Sequence, residues 1–124
     1  MSNRASRVVL SALAVALAGA SRVGADTPSP RRFEVTASRY KFEPSRIEVT
    51  QGDVVDLVVR SADTDHGFAI KAFKVKVPIP KGGAPVAVSF VASRAGTFPI
   101  ECSEYCGAGH KRMRGELVVA EKAQ

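Results

Sequence analysis

The chain has no tryptophan, and its 124 residues include only two cysteines, two histidines and two methionines. Each scarcity narrows what it can do. Two cysteines fall short of the four thiolates an iron–sulfur cluster ordinarily takes, and the histidine pairs of a Rieske centre are absent. Both cysteines lie late, at Cys102 and Cys106, so no leading cysteine is present to carry a lipid. Aromatic residues make up only 6% of the chain and no long Lys/Arg run occurs, which argues against nucleic-acid binding. No stretch repeats its apolar residues every 3.6 positions, so a helical core is not expected.

Apolar runs are short as well. The longest, "VVLSALAVALAGA" at Val8–Ala20, follows Arg4 and Arg7 and is cut off by Arg22. Spanning hydrocarbon takes about 20 apolar residues. A basic start, a short apolar stretch and small residues at Ala18-Gly19-Ala20 or Val23-Gly24-Ala25 read as an export signal. Residues 1–25 are therefore expected to be a signal peptide, residues 26–31 ("DTPSPR") a flexible leader and residues 32–124 one domain. The alternative is an N-terminal segment retained as an anchor. Cleavage predicts a periplasmic or secreted protein with no stable membrane span. Of 18 basic residues, three precede Asp26, leaving 15 against 12 acids, a net charge of +3. Such a surface is mildly suited to an acidic partner.

What remains alternates with period two and is punctuated by turns. Phe33, Val35 and Ala37 share one face of "RFEVTAS", and Ile47 and Val49 resume after Pro44. "VVDLVVRS" is β-branched and apolar; "HGFAIKAFKVKVPIP" holds two short strands; Val86, Val88 and Phe90 alternate after Gly82-Gly83. "AGTFPIEC" and "GELVVAEK" flank the cysteine segment. Seven or eight short strands predict an all-β Greek-key antiparallel sandwich or barrel. Phe42, Phe68, Phe90 and Phe98 are expected in its core. The chemistry then falls on loops, with His66 after "SADTD" and residues 102–113 between the last two strands.

Both cysteines, one histidine and the only methionine beyond the initiator crowd into "CSEYCGAGHKRM". Thiolate, imidazole and thioether together favour copper or zinc over calcium or magnesium. A blue copper site leaves one cysteine unused. Zinc is satisfied by His66, Cys102, Cys106 and His110, and leaves Met113 idle. A disulfide is the ordinary fate of two exported cysteines and uses no histidine. Two metals bridged by both sulfurs use every donor.

"CSEYCGAGHKRMRGELVV" closely resembles the dinuclear copper (CuA) loop of cytochrome c oxidase subunit II and of nitrous oxide reductase. "DTDHGFAI" resembles the loop carrying that family's first histidine, and "YKFEPSRIEVTQGDVV" is similar to the opening strands of cupredoxin domains. The resemblance implies a cupredoxin sandwich holding two copper ions. Cys102 and Cys106 would bridge them, His66 and His110 would each bind one, Met113 would be a weak ligand and Glu104 would lend its main-chain carbonyl. It implies electron transfer with a c-type cytochrome or another redox protein. The chain would then be a subunit or electron donor of a terminal oxidase or reductase rather than a complete enzyme, with no catalytic residues of its own. The alternative is a copper carrier or metallochaperone, or a client of one, using the same ligands. Unlike the tryptophan-containing docking patch of oxidase subunit II, this chain offers no tryptophan. Asp63 and Asp65 are read either as orienting His66 or as a solvated turn, Arg112 and Arg114 as a docking rim or plain surface charge, and Tyr105 as an exposed contact.

Overall fold

The computed structural model describes residues 29–123, together with the isolated residue 19. The signal peptide and most of the leader lie outside the described residues. Among those described, no helix is long and apolar enough to cross a membrane.

Nine strands build two sheets. They are β1 Arg31–Ser38, β2 Lys41–Glu43, β3 Arg46–Thr50, β4 Val54–Ser61, β5 His66–Ile70, β6 Val75–Ile79, β7 Val86–Val91, β8 Gly96–Glu101 and β9 Arg114–Ala120. Single 3₁₀ turns, Lys71–Phe73 and His110–Arg112, interrupt them. One sheet has the order β2-β1-β4-β7 and the other β3-β9-β8-β5-β6. The sandwich expected from the alternation is present. Two of its ladders, β1–β4 and β3–β9, are parallel. Chain reversals between consecutive strands of different sheets bring those partners in running the same way, which alternation alone does not encode.

Alternation decides what is buried. Val35 and Ala37 of β1 and Val55, Leu57 and Val59 of β4 face Ile47, Phe68, Ile70, Ile100 and Leu117 of the second sheet, each at most 1% exposed. Each of the valine, leucine, isoleucine and phenylalanine side chains contributes about 1.5–3 kcal/mol by leaving water. Phe42 meets Phe68 edge to face, with ring centroids 5.6 Å apart. Phe90 and Phe98 are only partly buried and pack with Phe73 at the margin of this core.

Strand register aims the chain at one end of the molecule. The β8–β9 ladder closes on the pair Glu101 and Arg114. The next residues inward remain joined, because Cys102 N–H donates to the Met113 carbonyl at 3.3 Å. β5 pairs β8 through Ala69 and Glu101 in antiparallel sense. The start of β5, at His66, therefore runs toward residues 102–104.

Candidate metal centre

His66 is the first residue of β5 and fully buried, not a loop residue as the polar run "SADTD" suggested. The segment crossing above it explains the difference. Gly67 lies so close to this segment that an added Cβ would collide with Ser103 Oγ, reach 2.7 Å from Glu104 N and 2.9 Å from Ser103 N. A strand can pass beneath the cysteine loop only where a side chain is missing.

The sulfur and nitrogen atoms converge from two directions. Cys102 Sγ and Cys106 Sγ are free thiols 3.6 Å apart, against about 2.05 Å for a disulfide bond. His66 Nδ1 is 4.0 Å from Cys102 Sγ, and His110 Nδ1 is 3.8 Å from Cys106 Sγ. Met113 Sδ stands 3.9 Å from Cys106 Sγ and its side chain is 1% exposed. The Glu104 carbonyl oxygen is 3.1 Å from Cys102 Sγ, whereas the Glu104 side chain faces solvent. All six residues singled out in the sequence thus share one end of the sandwich.

This donor set fits soft metal ions. Two ligands about 2.0–2.3 Å from one ion at a tetrahedral angle stand roughly 3.3–3.8 Å from each other. The neighbouring donor separations, 3.6–4.0 Å, lie at or just above that span. Both imidazoles present Nδ1. Both thiols are buried, at 7% and 5% exposure.

Asp63 settles the tautomer of His66. Its Oδ1 lies 2.6 Å from His66 Nε2 and accepts that N–H, leaving Nδ1 with a lone pair toward the sulfurs. Asp63 Oδ2 accepts the Arg39 N–H at 2.8 Å, and Oδ1 the Thr64 N–H at 2.6 Å. Burial opposes ionisation of Asp63, but the hydrogen bonds from Arg39, His66 and Thr64 outweigh it and hold the carboxyl at about 2. Asp65, by contrast, accepts Lys81 N–H at 2.8 Å and serves the chain elsewhere. Burial, then the hydrogen bond and charge of Cys102, push the Cys106 thiol up to about 11.

Two contributors were not evident in the sequence. Arg39, in the turn between β1 and β2, donates its Nε–H to the Cys106 carbonyl at 3.0 Å while its N–H holds Asp63. Tyr40 lies against the loop, and a Cβ on Gly109 would fall 2.5 Å from Cγ of its ring. Neither residue carries a spacing signature, since each meets the cysteine loop across more than sixty positions.

Around the donors, Arg114 pairs with Glu101 at 3.4 Å, Arg112 is exposed, and Tyr105 is 79% exposed with its ring centroid 5.9 Å from that of His110. A cleft of about 240 Å³ opens beside Cys102, His110 and Met113. A larger hollow of about 610 Å³ runs along β3, β8 and β9 and contains none of the donors.

Comparisons with known proteins bear on the family and the fold. The family described as "Cupredoxin-like domain" matches residues 7–119. Cytochrome c oxidase subunit 2 of Thermus thermophilus is 33% identical over 94 residues, covering 76% of this chain and 69% of that protein. Nitrous-oxide reductase of Cupriavidus necator is 30% identical over 90 residues, 69% of this chain but only 14% of the reductase. The solved periplasmic domain of subunit II of cytochrome oxidase from Bradyrhizobium japonicum superposes with a TM-score of 0.67 at 23% identity. That match covers 77% of this chain and 88% of the solved one.

Proposed function

The chain belongs to the cupredoxin-like domain family, homologous to the copper domain of cytochrome c oxidase subunit II, and from that premise we propose that it is an exported electron-transfer protein with a dinuclear copper centre. Cys102 and Cys106 would supply thiolates, His66 and His110 imidazoles through Nδ1, Met113 its thioether and Glu104 its main-chain carbonyl. What carries the reading is the convergence of every sulfur donor among the described residues, and of both imidazoles, within about 4 Å of a neighbour at one end of a rigid sandwich. When bound, the copper pair supplies a one-electron couple whose charge is shared over both metals.

The chain's own residues do the rest. Asp63 fixes the His66 ring by accepting from Nε2, and Arg39 ties Asp63 to the cysteine loop. Burial of Met113, Cys102 and Cys106 keeps water from the sulfurs. Both thiols must lose a proton before they can serve as ligands, so acid opposes loading. We place the protein in the periplasm or outside the cell, on its signal-like start and its periplasmic relative. There it passes electrons between a c-type cytochrome or another redox protein and a terminal oxidase or reductase.

Copper content and electron paramagnetic resonance test this together. Two coppers per chain, with one unpaired electron split by two equivalent nuclei, are expected. One copper per chain, or the hyperfine pattern of isolated Cu(II), overturns the dinuclear centre. Copper held without a reversible one-electron couple marks a carrier instead.

A further inference from the structure

At the metal end the polypeptide presents an aromatic centre inside a ring of positive charge. Tyr105 is 79% exposed beside the half-buried His110, and Tyr40, 37% exposed, supports the same loop. Lys111 and Arg112 occupy the same 3₁₀ turn as His110. Both are exposed, and among the described residues neither joins an ion pair.

Acidic groups on this end are fewer and already engaged. Glu101 is shared by Lys71 at 3.2 Å and Arg114 at 3.4 Å, so that cluster keeps one positive charge in excess. Asp63 is consumed by Arg39 N–H and His66. Glu104 and Asp65 are the exposed carboxylates that remain, and Asp65 lies beside Lys81, whose N–H it accepts at 2.8 Å. Arg39, Lys71, Lys81, Lys111, Arg112 and Arg114 therefore stand against Asp63, Asp65, Glu101 and Glu104, six cations to four carboxylates, a local +2 out of the +3 of the chain beyond Asp26. An aromatic core with a charged rim is the anatomy of a protein contact surface. A rim of this sign slows a basic partner and draws in an acidic one.

We propose that the metal end of the sandwich docks a redox partner whose own contact face is acidic. The proposal rests on the electron-transfer reading above and assigns its partner chemistry. Lys111 and Arg112 steer the encounter, and Tyr105 makes the apolar contact next to His110.

Stopped-flow mixing of the copper-loaded chain with a c-type cytochrome of acidic haem-edge surface tests it. The second-order rate is expected to fall as salt rises, because screening weakens the attraction. Lys111→Glu/Arg112→Glu should lower the low-salt rate roughly tenfold and abolish the salt dependence. Its copper content and paramagnetic spectrum should not change. Independently, NMR titration of the metal-free chain should shift signals of Tyr105, Lys111 and Arg112 with the acidic cytochrome and not with a basic one. Equal or stronger binding of the basic cytochrome, or a rate indifferent to salt and to the double substitution, overturns the proposal. Loss of the two-copper signature from the wild-type chain sinks the electron-transfer reading instead, and the metal-free titration still decides the docking face.

Discussion

At the scale of single residues, donors at this site are shaped by the groups packed around them. His66 shows it most plainly: fully buried, it has one ring nitrogen held by Asp63 and the other left for the sulfurs. Cys106 shows the opposite tendency in the metal-free state. Burial and Cys102 push its thiol from 9.0 to about 11, so the folded chain favours the protonated form. The sign follows directly. Between about pH 9 and 11 the unfolded chain has released this proton and the folded chain has not, so stability falls as pH rises through that window. Below it nothing is lost. Urea unfolding of reduced, metal-free protein should therefore weaken more between pH 8 and 10.5 than that of Cys106→Ser. Equal losses in the two proteins refute this account of the thiol.

At the scale of elements, the critical contact is a strand sliding beneath a loop. β5 supplies His66 and then passes under Ser103 and Glu104 at Gly67. Any added Cβ there meets the Ser103 side chain first and then the backbone nitrogens of Ser103 and Glu104, which cannot swing aside as a side-chain tip can. Gly67→Ala should cost about 1–3 kcal/mol of stability by overpacking. It should also loosen metal binding, because the loop can yield only by moving Cys102 away from His66. Thermal unfolding and copper titration of the variant check both effects, and a variant with wild-type values of each contradicts them. Gly109→Ala presses on a side chain instead: its Cβ would fall 2.5 Å from Cγ at the base of the Tyr40 ring, so Tyr40 as a whole has to shift.

Across the whole molecule, rare residue types were the readable part. Cysteine, histidine and methionine are so scarce that their crowding stood out before any fold was assigned. The strands were readable because period-two alternation is a local property, visible in Phe33, Val35 and Ala37. The parallel partnership of β1 with β4 was hidden, because direction is set by the path of the chain between sheets. Arg39 was hidden for a related reason: its contact with the Cys106 carbonyl spans 67 positions, and no spacing rule reaches that far. Polar neighbours in sequence point to a loop at His66, while the cover that buries it comes from the cysteine segment.

The unequal burial of the two imidazoles has one more consequence. His66 is sealed behind Asp63, whereas His110 reaches the surface. Under the electron-transfer reading proposed above, donor and collector would both approach on the His110 side, and whatever brings an electron would have to leave before whatever collects it arrives. The protein would then work as a ferry that takes one passenger at a time, not as a bridge between two. A redox-inert copy of the collector should compete with the donor for entry; simultaneous binding of both would contradict the shared approach.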